Sequence, residues 1–187
     1  MERTYYQQRS QGGKITGPGL LHVVYGQGVG KTSRCVGLAV RAAAAGLKVA
    51  WVQFMKDDTS SEVKLLRELP GVRYFCPGPH SFITKKGPDD THRDHARRAL
   101  QHACELVQKQ QAQVLICDEI LNTLLFKVLP LEDVLSLVEL CRGRVELVMS
   151  GADVHPALLE AADYATELVQ RKHPYYQGIE ARKGIEF

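Results

Sequence analysis

Hydrophobic positions along the chain fall into two alternating rhythms. Short, nearly continuous apolar runs recur at 21–25, 48–54, 72–75, 112–119, 144–151 and 164–170, with the length and content of strands buried on both faces. Between them, 32–45, 60–69, 90–110, 130–141 and 156–162 carry apolar residues at the spacing of helices with one buried stripe. Gly46 follows the first of these segments and Pro130 opens the fourth, matching helix stop and start chemistry. This order predicts a three-layer α/β fold around a mainly parallel sheet, with ligands beyond the carboxyl ends of the strands.

Two stretches break the rhythm. The leader 1–20, "MERTYYQQRSQGGKITGPGL", is rich in Gln, Gly and Ser and has no apolar core of signal-peptide length, so it predicts a flexible segment with Tyr5 and Tyr6 available to dock elsewhere. The stretch 76–90, "CPGPHSFITKKGPDD", holds three prolines and two glycines, and a loop of that length in a compact domain is a candidate substrate lid.

Composition narrows the class. The 187 residues are 44% hydrophobic, which suffices for one core and one compact domain over 21–187. The 24 basic and 21 acidic residues are interspersed and give a net charge of +3; no basic block marks a nucleic-acid surface. No run approaches the apolar length of a membrane span, and five cysteines without a Cys-x-x-Cys pair read as small buried hydrophobes in a reducing compartment. A cytoplasmic protein is expected. His92, His95 and His102 share one face of the long helical segment without an acid or cysteine to complete a metal site, which predicts a solvated or substrate-facing helix.

The chemistry concentrates in "YGQGVGKTS", between the first strand and the first helix. Gly26, Gly28 and Gly30 let backbone N–H groups turn around anionic oxygens at a partially positive helix N-terminus. Lys31 adds a full charge for phosphates, and the Thr32 hydroxyl is placed to hold Mg²⁺. A second metal ligand is expected from a neighbouring strand, and Asp118 and Glu119 end the apolar run "VLICDE". The ligand implied is ATP with Mg²⁺. The loop lacks one glycine of the usual Gly-x-x-x-x-Gly-Lys-[Ser/Thr] pattern, since Tyr25 stands at its first position.

With these residues in place, the chain resembles the P-loop ATP:corrinoid adenosyltransferases over nearly its whole length. The resemblance is carried by "YYQQR", "GQGVGKTS", "GLAVRAAAAGLKVAWVQFMK", "LICDEILNTLLFKVLPLEDVLSLV" and the final stretch from "MSGADVHP" to "KGIEF". That family shares the missing first glycine. The resemblance implies a P-loop NTPase (RecA-like) fold and transfer of the 5′-deoxyadenosyl group of ATP to the cobalt(I) of a corrinoid, cobalamin or cobyrinic acid a,c-diamide, with release of triphosphate. ATP would lie reversed in the loop, leaving its ribose 5′ carbon exposed to cobalt. Lys31 and the loop amides would stabilise the leaving triphosphate, and Thr32 with Glu119, and Asp118 beside it, would ligate Mg²⁺. Gln27, Val29, Ser33 and Arg41 would complete the nucleotide site. A flavoprotein or other reductase would supply electrons, and a homodimer would place the N-terminal segment over a partner's site.

The chain also departs from the family pattern. Gln27, Val29 and Ser33 stand where the family has Asn, Lys and Thr, which removes one positive charge from the loop. The lid pattern Gly-Phe-x-Trp is met by "GPHS", leaving His80 and Phe82 as the corrinoid contacts, and "GADVH" lacks an arginine after its glycine. Two other classes stay open: a P-loop ATPase or phosphotransferase, and a non-catalytic corrinoid- or nucleotide-binding paralogue.

Overall fold

A computed structural model describes residues 19–78, 83 and 87–187. Six strands form one parallel sheet: β1 (Leu21–Tyr25), β2 (Val49–Gln53), β3 (Val72–Phe75), β4 (Val114–Asp118), β5 (Glu146–Ser150) and β6 (Tyr164–Glu167), in the order β3-β2-β4-β5-β1-β6. The helices are α1 (Lys31–Ala44), α2 (Ser61–Glu68), α3 (Asp90–Gln108), α4 (Ile120–Leu125), α5 (Leu131–Cys141) and α6 (Pro156–Ala161), and a 3₁₀ turn follows at Pro174–Gln177. The expected P-loop NTPase-like α/β fold is present.

The strand patterns explain the layers. Every residue of β2 and β4 is buried, and successive side chains go to opposite faces. Val49, Trp51, Val114 and Ile116 pack with Cys35, Ala39 and Ala42 of α1 and Leu66 of α2. Ala50, Val52, Leu115 and Cys117 pack on the other face with Ala99 and Ala103 of α3 and Leu137 of α5. A strand that must satisfy two helical layers has no polar alternation to show, hence the continuous apolar runs. The edge strand β6 is largely exposed.

Three sequence expectations change. The helix α4 falls where no helix was expected, because its six apolar-rich residues are too few to display a period. The histidine face of α3 is packed rather than solvated: His92 is 4% exposed and closes a capping box with Asp89, and His102 stacks on Phe75 at 4.0 Å. All five cysteines are free thiols, but only Cys35, Cys117 and Cys141 are buried, whereas Cys76 and Cys104 are half-buried.

Candidate nucleotide site

The sheet order brings four strand ends together. Register between β2 and β4 pairs Gln53 with Asp118, and β5 lies between β4 and β1. The loop after β1, the acids after β4, Ser150 of β5 and the residues just past β2 therefore meet at one carboxyl edge.

The loop owes its shape to a close approach. The Gly28 N–H donates to the Leu168 carbonyl at 2.7 Å, and the Leu168 N–H donates to the Tyr25 carbonyl at 2.8 Å. A Cβ on Gly26 would stand 2.4 Å from the Leu168 oxygen, and one on Gly28 would stand 2.7 Å from it. Both glycines are thus required by the chain leaving β6, and the Gly28 amide serves that staple rather than the cradle. Gly30 adopts a left-handed conformation with φ 101° as the residue before α1. The N–H groups of the first turn, at Lys31, Thr32 and Ser33, have no acceptor within the helix and carry its positive dipole end. The Lys31 ammonium donates to the carbonyls of Gly26 and Gly28 at 2.7 and 2.8 Å. Burial lowers its pKa, with Glu119 pulling the other way.

The acids occupy different positions. Asp118 is fully buried; it accepts from Ser150 Oγ at 2.7 Å and from Thr32 Oγ1 at 3.3 Å. Glu119 stands before α4 with φ 63° and makes no side-chain cap. Its N–H donates to Ser150 Oγ at 2.9 Å, which helps hold a left-handed conformation that costs a non-glycine residue about 1 kcal/mol or more. Its carboxylate instead faces Lys56.

Lys56 lies three residues beyond β2 and belongs to no local motif of the sequence. Its ammonium donates to Thr32 Oγ1 at 2.9 Å and to Asp118 Oδ2 at 3.2 Å, and lies 3.5 Å from Glu119 Oε1. Burial opposes the Lys56 charge, but Asp118 and Glu119 outweigh it and raise its pKa; burial raises that of Glu119 against the pull of Lys56. A hydroxyl and two carboxylates thus converge on one cation position, a hard oxygen donor set that fits Mg²⁺.

These groups open onto a cavity of about 630 Å³, within the range of small-molecule sites. Val29, Gly30, Lys31, Thr32, Ser33, Lys56 and Glu119 line one side of it; the segment 172–186 supplies the other. Gln27 reaches away to donate to the Ala152 carbonyl at 3.2 Å, tying the loop to the chain leaving β5. Arg41 does not join the site: it is exposed in the last turn of α1, ten residues beyond Lys31, or about 15 Å along the axis. His80 and Phe82 lie outside the described residues, as do residues 1–18.

A family profile described as ATP:corrinoid adenosyltransferase BtuR/CobO/CobP matches residues 18–187. The chain is similar to a corrinoid adenosyltransferase of Pseudomonas aeruginosa, with 34% identity over 173 residues, covering 90% of this chain and 84% of that protein. It is 29% identical over 170 residues to the corrinoid adenosyltransferase of Escherichia coli K12, covering 90% of this chain and 86% of the relative. The corrinoid adenosyltransferase CobA of Salmonella typhimurium has the same identity and coverage.

Proposed function

We infer that this chain, which belongs to the ATP:corrinoid adenosyltransferase family, transfers the 5′-deoxyadenosyl group of ATP to the cobalt(I) of a corrinoid. The observation that carries this reading is the convergence of Lys31, Thr32, Lys56 and Glu119 on a single cavity at the N-terminus of α1. That cavity offers phosphate-binding groups and no side chain that must attack the substrate. Reduced cobalt brings its own electron pair: it forms a bond to the ribose 5′ carbon as the carbon–oxygen bond breaks, and the oxygen leaves with triphosphate. The protein's part is alignment and neutralisation of the departing charge.

Lys31 and the first-turn amides of α1 hold the triphosphate, beside a loop that carries Val29, and Lys56 occupies the oxygens of Thr32, Asp118 and Glu119 until a divalent cation takes its place. Thr32 and Glu119 would hold Mg²⁺, with Asp118 positioning Thr32 from behind. Bound there, the metal would supply charge neutralisation at phosphate oxygens. We assign His80 and Phe82 to the corrinoid on sequence grounds, and place the reaction in the cytoplasm with a flavoprotein or other reductase supplying cobalt(I). A homodimer in which residues 1–20 cover a neighbouring site belongs to the same reading. Among the described residues no helix is long and apolar enough to cross a membrane.

One observation favours a second reading. Glu119 faces the cavity with a raised pKa, as a base activating water for ATP hydrolysis would. Its ion pair with Lys56 argues against that use. The products decide: incubation with ATP, Mg²⁺ and chemically reduced cobalamin should give a cobalt–carbon bond, read by absorbance, and stoichiometric triphosphate. Corrinoid-dependent release of ADP would instead overturn adenosyl transfer.

A further inference from the structure

Lys56 reaches the site from strained backbone. It follows Met55, which takes φ 32°, a left-handed conformation that a non-glycine residue holds only where its surroundings impose it. The Phe54 N–H donates to the Asp118 carbonyl at 2.9 Å, carrying the β2–β4 pairing just past the strand, and Cys76 Sγ donates to the Lys56 carbonyl at 3.6 Å. Glu119, at the neighbouring strand exit, is left-handed as well, with φ 63°. Two strained exits thus bring an ammonium and a carboxylate together.

The point that the Lys56 ammonium fills is the one a divalent cation needs. Thr32 Oγ1, Asp118 Oδ2 and Glu119 Oε1 stand 2.9, 3.2 and 3.5 Å from Nζ, whereas a magnesium ion holds its oxygens at about 2.1 Å. The two cations exclude each other. Lys31 and Lys56 balance Asp118 and Glu119, so the ligand-free phosphate wall is neutral. Across the cavity, the strap of chain from 172 onward adds Lys172 and Glu180, and a Glu186 already paired with Arg182, which leaves that balance unchanged. Glu62 of α2 is a weaker attraction on Lys56. A divalent cation entering alone therefore leaves a surplus ammonium beside it and a strongly positive wall, which like-charge repulsion opposes. The same wall is complementary to a triphosphate.

We propose that Lys56 is a tethered counter-ion that couples metal to triphosphate: a divalent cation displaces its ammonium from Thr32, Asp118 and Glu119, and the displaced ammonium pairs with the triphosphate. The proposal rests on the nucleotide reading above and makes Lys56 a positioning residue with two partners in succession. Metal binding then depends on the triphosphate, and by linkage each strengthens the binding of the other.

The test uses manganese(II), which suits the same oxygen donors and is followed by electron paramagnetic resonance, with inorganic triphosphate as the anion. On the full chain, Lys56→Met should bind manganese alone about tenfold more tightly than the unaltered protein does, and the manganese–triphosphate complex about fivefold more weakly. Weakening of both would make Lys56 merely structural, and strengthening of both would make it merely a plug on the metal position; either result overturns the coupling. A second measurement needs no variant. Acylation of Lys56 in the unaltered protein, read by peptide mass, should speed up when manganese alone is added and slow again when triphosphate joins it. A rate indifferent to manganese overturns the displacement, and a rate that triphosphate does not slow overturns the pairing, placing the freed ammonium on Glu62 or Glu180 instead. Failure of the unaltered protein to bind the manganese–triphosphate complex overturns the nucleotide reading itself.

Discussion

Lys31 and Thr32 occupy the first two positions of α1, where dipole, amides and side chains act on the same volume. Each should therefore matter far beyond an ordinary surface residue. Lys31→Ala and Thr32→Ala should each weaken MgATP binding or turnover by roughly a hundredfold, measured by calorimetry and by the cobalt–carbon assay; near-normal values in both would remove the phosphate role. Lys56 carries a different burden, because it compensates Asp118, which is fully buried, and Glu119. Removing one partner of a buried pair leaves an uncompensated charge and costs about 3 kcal/mol. Lys56→Met should lower the urea midpoint accordingly, and millimolar Mg²⁺ should restore more stability to this variant than to the unaltered protein, since the same oxygens can take a divalent cation. An unchanged midpoint would show that the pair is not structural.

At the scale of elements, the site depends on contacts between segments far apart in the chain. Gly28 and Leu168 are one example: a methyl group at Gly28 would collide with the Leu168 backbone. Gly28→Ala should destabilise the fold by about 1–3 kcal/mol and weaken ATP binding, because the loop can accept the methyl group only by leaving the β6 exit. Thermal unfolding and ATP titration of the same sample check both effects. A second tie anchors the start of β1. Glu146 on β5 accepts from the N–H groups of Gly19 and Leu20 at 3.0 and 3.2 Å and meets His22 Nε2 at 2.6 Å. Burial works against its charge, but the hydrogen bonds from His22, Gly19 and Leu20 outweigh it and lower its pKa. A carboxylate with a lowered folded pKa contributes stability above its ordinary pKa and loses it as pH falls through the folded value. Glu146→Gln should thus cost about 1–2 kcal/mol near pH 7, with the difference from the unaltered protein shrinking below about pH 4.5. A gap that persisted undiminished into acid would mean that the charge is irrelevant.

For the whole molecule, the two helical layers close over the sheet tightly enough to sort its thiols. Cys35, Cys117 and Cys141 are buried between sheet and helices, and burial pushes the Cys35 and Cys141 thiols up to about 12. Cys76 and Cys104 are half-buried, with burial raising their pKa more modestly. Because the thiolate is the reactive form, a thiol reagent at pH 8 should modify Cys76 and Cys104 in the native protein, faster as pH rises. The other three should react only with global unfolding, in denaturant. Early labelling of Cys117 would mean that the layers open locally.

The sequence by itself determined what local pattern and short motifs can encode. Doubly buried strands must be continuously apolar, which placed β1, β2, β4 and β5 before any fold was known. Phosphate binding needs glycines, Lys31 and Thr32 adjacent in the chain, so that half of the site was legible as a word. Asp118 and Glu119 were legible because they end an apolar strand, where α/β folds put their chemistry. Only the tertiary structure decided which strands lie side by side, and the rest of the site follows from that order. Lys56 reaches Thr32 because β2 pairs with β4, and Ser150 holds both acids because β5 pairs with β4 on its other side. Leu168 shapes the loop because β6 pairs with β1. None of these partners shares a local spacing with the motif it serves, and strand order is set by the packing of the entire sheet. The exposed strap from 172 onward had no hydrophobic period to announce it, and only the closed chain set it opposite the phosphate loop.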